Sequence, residues 1–130
     1  MIGYKKVWMC WHNQYGEVAR PVVLKLRIDG AVVRRAGYDK MRTNAATVLE
    51  AWTVKEVIKH ESGDWNVVEV LNKKIKNTKK QFYSRHDRNF FYRVGDTVHP
   101  LNGFNTDTNE DCGSGIHFYL TKKEACNRIH

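Results

Sequence analysis

Apolar and polar residues alternate with a period of two along much of the chain, which is typical of β-strands that bury one face. The alternation is clearest in residues 22–28, where valine, leucine and isoleucine occupy every second position. The aromatic and β-branched residues 4–11 predict another strand, and the polar residues 12–17 between the two predict a turn. We therefore expect the chain to begin with a β-hairpin.

Further strands are predicted along the rest of the chain. They cover residues 31–34, 47–54, 65–71, 90–98 and 115–120. Residues 55–60 are expected to continue the strand before them or to become helical, and residues 41–46 to form a loop or one helical turn. Thr121 and Glu124 have the spacing of a capping box, which predicts a helix from about Lys122.

These elements predict an α+β fold rich in β-structure, with an antiparallel sheet of hairpins and a short C-terminal helix. A chain of 130 residues can bury a core as a single compact domain, so we assign residues 1–130 to one domain. Residues 55–80 are interpreted as an insertion or an exposed loop or hairpin, and residues 101–114 as a long loop. With three dispersed cysteines and no long apolar run, we expect a cytoplasmic protein without a membrane span.

The charge of the chain indicates an anionic partner. Lysine and arginine number 22 against 14 aspartate and glutamate residues, which gives a net charge of +8. Residues 1–80 hold all of this excess, because residues 81–130 are neutral overall. Nucleic acid, a phosphorylated small molecule and an acidic protein would all be attracted to such a chain.

The densest polar cluster lies in residues 84–88, directly after two aromatic residues. A nucleotide needs guanidinium groups for its phosphates, an aromatic face for its base and carboxylate or amide groups for its ribose. The same cluster would also fit a polar turn. The residues predicted to contact a ligand are Arg42, Asn44, Phe82, Tyr83, Arg85, His86, Asp87, Arg88 and His117.

Catalytic and metal sites are less well supported by the sequence. Cys112, His117, Cys126 and His130 have a spacing that matches no established zinc pattern. Ser84, His86 and Asp87 are too close in sequence to align as a catalytic triad, and no phosphate-binding glycine loop is present. We therefore expect a binding protein without a metal or cofactor, rather than an enzyme.

Several segments resemble an uncharacterised domain family found in phages, giant viruses and some bacteria, where it sometimes follows pentapeptide repeats. The resemblance is carried by residues 2–6, 22–28, 42, 46–49, 90–95, 112–118 and 124–125. Its most specific part is Cys-x-x-Gly-Ile-His-Phe at residues 112–118, whereas residues 55–80 depart from the family pattern. The family itself implies no function.

The chain also resembles the phage proteins that act as sponges against Thoeris defence, in its size, its initial strand–turn–strand, its Val-Val-Arg segment at residues 32–34 and its Gly-Ile-His-Phe segment. That resemblance implies an oligomeric protein that holds a cyclic ADP-ribose isomer or a cyclic oligonucleotide without cleaving it. In this hypothesis Arg42, Arg85 and Arg88 meet phosphates. Phe82 or Tyr83 stacks on adenine, and Asn44 or Asp87 binds ribose hydroxyls.

Two alternatives remain open from the sequence. The lysines of residues 73–80 would suit a nucleic acid or a host protein, although no aromatic residue is interleaved with them. An enzyme acting on nucleotides would use His86 or His117 as its acid or base.

Overall fold

Two long antiparallel hairpins dominate the fold. The structure, a computed structural model, describes residues 1–84, 90–100, 103–107 and 114–127. The first hairpin pairs β1 (Ile2–Asn13) with β2 (Gly16–Ile28), and the second pairs β5 (Ala46–Glu61) with β6 (Asp64–Lys74). The expected N-terminal hairpin is confirmed, and residues 55–60 are strand rather than helix.

The shorter strands are β3 (Val32–Arg34), β4 (Met41–Thr43), β7 (Phe82–Tyr83), β8 (Phe91–Tyr92), β9 (Thr97–Val98) and β10 (Ile116–Phe118). The hairpins belong to an antiparallel sheet whose path is β6-β5-β2-β1-β7-β8, with β9 paired to β5 beside it. A second antiparallel sheet has the order β10-β4-β3. The described residues therefore confirm a β-rich, antiparallel α+β domain.

Two predictions of local structure are wrong. Residues 41–43 form the central strand of the second sheet rather than a loop or helical turn. Residues 90–98 form two short strands rather than one, because a turn separates β8 from β9. Gly95 adopts a φ of 96° in that turn, and the Asp96 N–H donates to the Arg93 carbonyl.

The main core contains buried apolar residues from both sheets. Its members include Val7, Leu24, Val48, Phe82 and Phe118, which have no exposed surface. A smaller apolar cluster forms where α1 (Lys122–Asn127) packs against β6, β1 and β2. The predicted helix start is confirmed, since the Thr121 hydroxyl accepts the Glu124 N–H and donates to the Glu124 carboxylate at 2.7 Å.

The two hairpins separate at Pro21, where the pairing of β2 with β5 ends at Val22 and Thr53. Tyr4 exchanges backbone hydrogen bonds with Tyr119, so its N–H points away from β2. Tyr4 lies opposite Lys25, so the main-chain groups of Lys25 point away from β1 and toward β5. The β1–β2 register has no irregularity, so every second residue of β2 points the same way, and the Pro21 nitrogen also faces β5. Proline has no N–H to continue the ladder, so β2 and β5 diverge beyond it.

Candidate functional site

Arg42, predicted to bind phosphate, is buried inside the fold. Its exposed fraction is 3%, and it lies opposite His117 in the β4–β10 pair. The guanidinium donates to the carbonyls of Asn105, Asp107 (2.7 Å) and Ser114 (3.3 Å). These bonds tie residues 105–107 to residue 114, so the guanidinium holds these residues against the second sheet.

Three other predicted residues lie at separate places in the described fold. The Asn44 side chain accepts the Ala31 N–H at 2.9 Å and thereby closes the turn before β3. Phe82 has no exposed surface, and we assign it to the core rather than to a stacking platform. Tyr83 is half-buried and lies opposite Trp8 of β1.

The remaining predicted contacts, Arg85, His86, Asp87 and Arg88, lie outside the described residues, and so do Cys112 and His130 of the zinc spacing. His117 is half-buried on β10, whereas Cys126 is buried on α1. Within residues 1–84, 90–100, 103–107 and 114–127, no group of three or more histidine, cysteine, aspartate or glutamate side chains is placed to hold a metal ion.

Lys5 is a buried cation close to the second sheet. Its ammonium donates to the His117 carbonyl at 2.9 Å. Burial, and to a smaller extent the nearby charge of Lys40, lower the pKa of Lys5 to about 8. A second positive group beside an already buried ammonium makes protonation of Lys5 costly in the folded protein.

A cleft of about 380 Å³ lies between α1 and the β5–β6 hairpin, and we call it the helix cleft. Its walls combine an indole ring, apolar strand residues and ammonium groups. They are formed by Trp52, Lys59, Glu61, Val68, Glu69, Val70, Leu71, Lys122, Lys123, Cys126 and Asn127. This volume is within the range of small-molecule sites.

Hydrogen bonds fix the walls of the helix cleft. The Asn127 amide donates to the Lys123 carbonyl at 2.8 Å and accepts the Glu69 N–H, which joins the end of α1 to β6. Lys6 bonds the Glu69 carboxylate at 2.8 Å and the Cys126 carbonyl at 3.1 Å. Lys6 thus compensates the charge of Glu69, while Lys59, Lys122 and Lys123 are exposed around the cleft.

The cysteine in the helix cleft, Cys126, is expected to be a weak nucleophile. Burial raises the pKa of the Cys126 thiol, and the negative charge of Glu69 raises it further, against a smaller opposite effect of Lys6. A thiol with a raised pKa remains protonated at neutral pH and is a poor nucleophile.

A second cleft, of about 470 Å³, opens where the two hairpins diverge, and we call it the hairpin cleft. Met9, Arg20 and Pro21 line it on one side, and residues 53–56 of β5 line it on the other, with Glu69, Asn72 and Lys73. Sequence patterns did not identify either cleft, because each joins segments that are far apart along the chain. The only local signal was Pro21 within an alternating strand.

No helix in the described part of the chain combines the length and the apolar character needed to cross a lipid bilayer. No curated protein and no solved structure matches the chain. One family model matches residues 1–125, which include the Cys-x-x-Gly-Ile-His-Phe segment. The chain therefore belongs to DUF5758, a family of unknown function, and this confirms the expectation of an uncharacterised domain family.

Proposed function

We propose that the protein binds an anionic, nucleotide-type small molecule in the helix cleft and holds it without converting it. The observation that carries the proposal is the presence of Trp52 and three lysines, Lys59, Lys122 and Lys123, around one cleft of small-molecule size. A nucleotide combines a flat aromatic base with phosphate charge, and these two kinds of side chain complement those two parts.

The arrangement of the walls favours a ligand of this kind. Trp52 is half-buried at the cleft, and apolar strand residues extend the surface on which a base would lie. The lysines are exposed, so their ammonium groups contact phosphate oxygens as single charges on flexible side chains. An arginine guanidinium would instead bind two oxygens in one fixed geometry. Such a cleft accepts several phosphate geometries and selects mainly for charge combined with an aromatic ring.

Holding the ligand intact is supported by the state of Cys126. Its raised pKa keeps the thiol of the cleft protonated, so it does not attack a phosphoryl or glycosidic centre. The resemblance to Thoeris sponges supports the more specific proposal that the ligand is an immune signal, such as a cyclic ADP-ribose isomer or a cyclic oligonucleotide. A phage-encoded protein would then act in the cytoplasm of its host.

Replacing both helix lysines tests the site. We expect Lys122→Ala combined with Lys123→Ala to weaken binding of the best ligand at least about tenfold, since two ammonium groups near the phosphates are lost. A thermal-shift panel of cyclic dinucleotides, cyclic trinucleotides, ADP-ribose isomers, RNA and DNA selects that ligand, and calorimetry measures its affinity.

Lys76→Ala is the matched control, because Lys76 is an exposed lysine that does not line the cleft. We expect this change to alter affinity less than about threefold, since salt screens a distant surface charge. Equal losses in both variants would show that affinity follows net charge rather than the helix cleft, and a loss confined to Lys76→Ala would place the ligand on the lysine-rich segment 73–80. A preference for RNA or DNA, with affinity falling about 10³-fold between 50 and 200 mM salt, would replace the proposal with nucleic-acid binding.

We further expect the bound ligand to be recovered unchanged. The protein is saturated with ligand, incubated at 37 °C and heat-denatured, and the supernatant is analysed by chromatography beside a sample without protein. Identical elution and yield are the expected result. A linear or cleaved product that appears only with the protein would show that it is an enzyme.

A further inference from the structure

One edge of β5 carries main-chain groups that no described strand pairs. The N–H of Glu69 donates to Asn127, so Glu69 points its main chain away from β5. Its partner Glu56 therefore points its own N–H and C=O away from β6 and toward the hairpin cleft. By alternation Val54, Ile58 and His60 do the same, and in the described fold β2 covers this edge only as far as Thr53.

An exposed apolar strip crosses this part of β5 and its partner β6. Ile58 and Val67 lie opposite each other in the β5–β6 register, and their exposed fractions are 70% and 64%. Trp65 is 73% exposed, and its ring lies 4.6 Å from that of His60 on the same face. A long strand edge beside apolar side chains is a surface on which proteins associate.

We infer that the protein forms a two-fold symmetric dimer in which β5 of one copy pairs antiparallel with β5 of a second copy, centred on Ile58. This pairing joins the two large sheets into one continuous sheet. It brings the two apolar strips side by side on one face, because residues opposite each other in a ladder share a face. The interface is isologous, so each cross-strand contact occurs twice.

The sequence of β5 is complementary to itself in this register. Centring on Ile58 places Lys55 opposite Glu61 of the second copy. The same centring places Glu56 opposite His60 and Val57 opposite Lys59. Lys55 and Glu61 occupy a pair without direct main-chain bonds, in which side chains approach most closely. Each of these ionisable residues is exposed in the single chain and available for this contact.

Neighbouring registers lack this complementarity. A shift that keeps the free main-chain groups facing each other must move the two-fold centre by a whole residue. Centring on Val57 places Lys55 opposite Lys59, and centring on Lys59 places the two Lys59 side chains opposite each other. Like charges directly opposite each other destabilise a strand pair, so the charges favour the register centred on Ile58 over these two neighbouring registers.

A second copy is a better occupant than an unrelated strand because the charge pattern is self-complementary. Two other edges of the hairpins are interrupted within the described fold. Asn127 covers the outer edge of β6 at Glu69. Pro21 removes a donor from the facing edge of β2. The β5 edge combines main-chain groups that no described strand pairs with an exposed apolar side chain, Ile58, and with a charge pattern that is complementary to itself.

Charge exchange tests the dimer with ligand-free protein, so the result is independent of the proposed function. Sedimentation equilibrium of the wild type over 1–200 µM is expected to show a monomer–dimer equilibrium. Lys55→Glu places a carboxylate opposite Glu61 of the second copy, and the two-fold symmetry repeats this repulsive contact. We therefore expect the dimer dissociation constant to rise at least tenfold. Lys55→Glu combined with Glu61→Lys exchanges the two charges and is expected to restore the dimer to within about threefold.

Lys76→Glu is the control, because it makes the same charge change outside the interface, and it is expected to leave the dissociation constant unchanged. Circular dichroism melts of each variant verify folding. A wild type that is monomeric throughout this range overturns the inference. A dimer that is insensitive to Lys55→Glu, or that the double exchange does not restore, assigns the contact to another surface and overturns it equally.

Discussion

Replacing Arg42 with methionine is expected to lower the free energy of unfolding by about 3 kcal/mol, although Arg42 was predicted from the sequence to bind phosphate. Methionine keeps the apolar bulk of the side chain but leaves the carbonyls of Asn105, Asp107 and Ser114 without their charged donor. Each hydrogen bond to a charged group contributes about 1.5–3 kcal/mol. Part of this loss is offset because a charge is no longer buried. Urea unfolding at pH 7 measures the change.

Arg34→Met is the matched control for this prediction. Arg34 lies on β3 next to β4, is exposed, and donates one bond to the Tyr38 carbonyl at 2.9 Å. We expect its replacement to cost less than about 1 kcal/mol, because water replaces a lost bond at the surface. Equal costs at Arg34 and Arg42 would show that the Arg42 guanidinium does not anchor the loop.

The long hairpins could be predicted from the sequence because apolar residues that are buried in the core recur at every second position. Val22, Leu24 and Leu26 face the main core, whereas Val23 and Lys25 between them lie on the other face, where Val23 packs in the smaller cluster. This alternation extends over enough residues to outweigh local propensity. Residues 41–43 gave no such signal, because all three residues of β4 are buried, including Arg42, and a three-residue strand has no measurable period.

The candidate site was harder to predict because an arginine side chain can either stabilise the fold or bind a ligand. A guanidinium binds carbonyl oxygens with the same geometry that it offers to phosphate, so sequence alone could not distinguish the structural Arg42 from a ligand-binding arginine. The helix cleft is assembled from Trp52 and Lys122, which are 70 positions apart, and their proximity depends on how α1 packs on the sheet. The sequence indicated an anionic ligand, but it could not place the lysines of the cleft together.

Lys5 is expected to make the protein more stable as the pH rises from 7 to 10. The unfolded chain keeps the Lys5 proton up to about pH 10.5, whereas burial and Lys40 lower the folded pKa of Lys5 to about 8. Between these two values the unfolded state binds more protons than the folded state, so the free energy of unfolding increases with pH. The shift of pKa corresponds to a gain of about 2 to 3 kcal/mol by pH 10.

The Lys5→Met variant isolates this contribution, because it removes the titrating amine and keeps an unbranched side chain in place of the methylene stem. The raised pKa values of Cys126 and Tyr92 act in the opposite direction at high pH, since these groups ionise first in the unfolded chain. Both groups are present in the two proteins, so the difference between the wild type and Lys5→Met cancels their effects.

Urea unfolding of both proteins at pH 7, 8, 9 and 10 should show the free energy of unfolding of the wild type rising relative to that of the variant from pH 8 upward. A difference that does not change with pH would mean that Lys5 keeps its proton in the folded state as firmly as in the unfolded one, and that the His117 carbonyl and its surroundings compensate its burial.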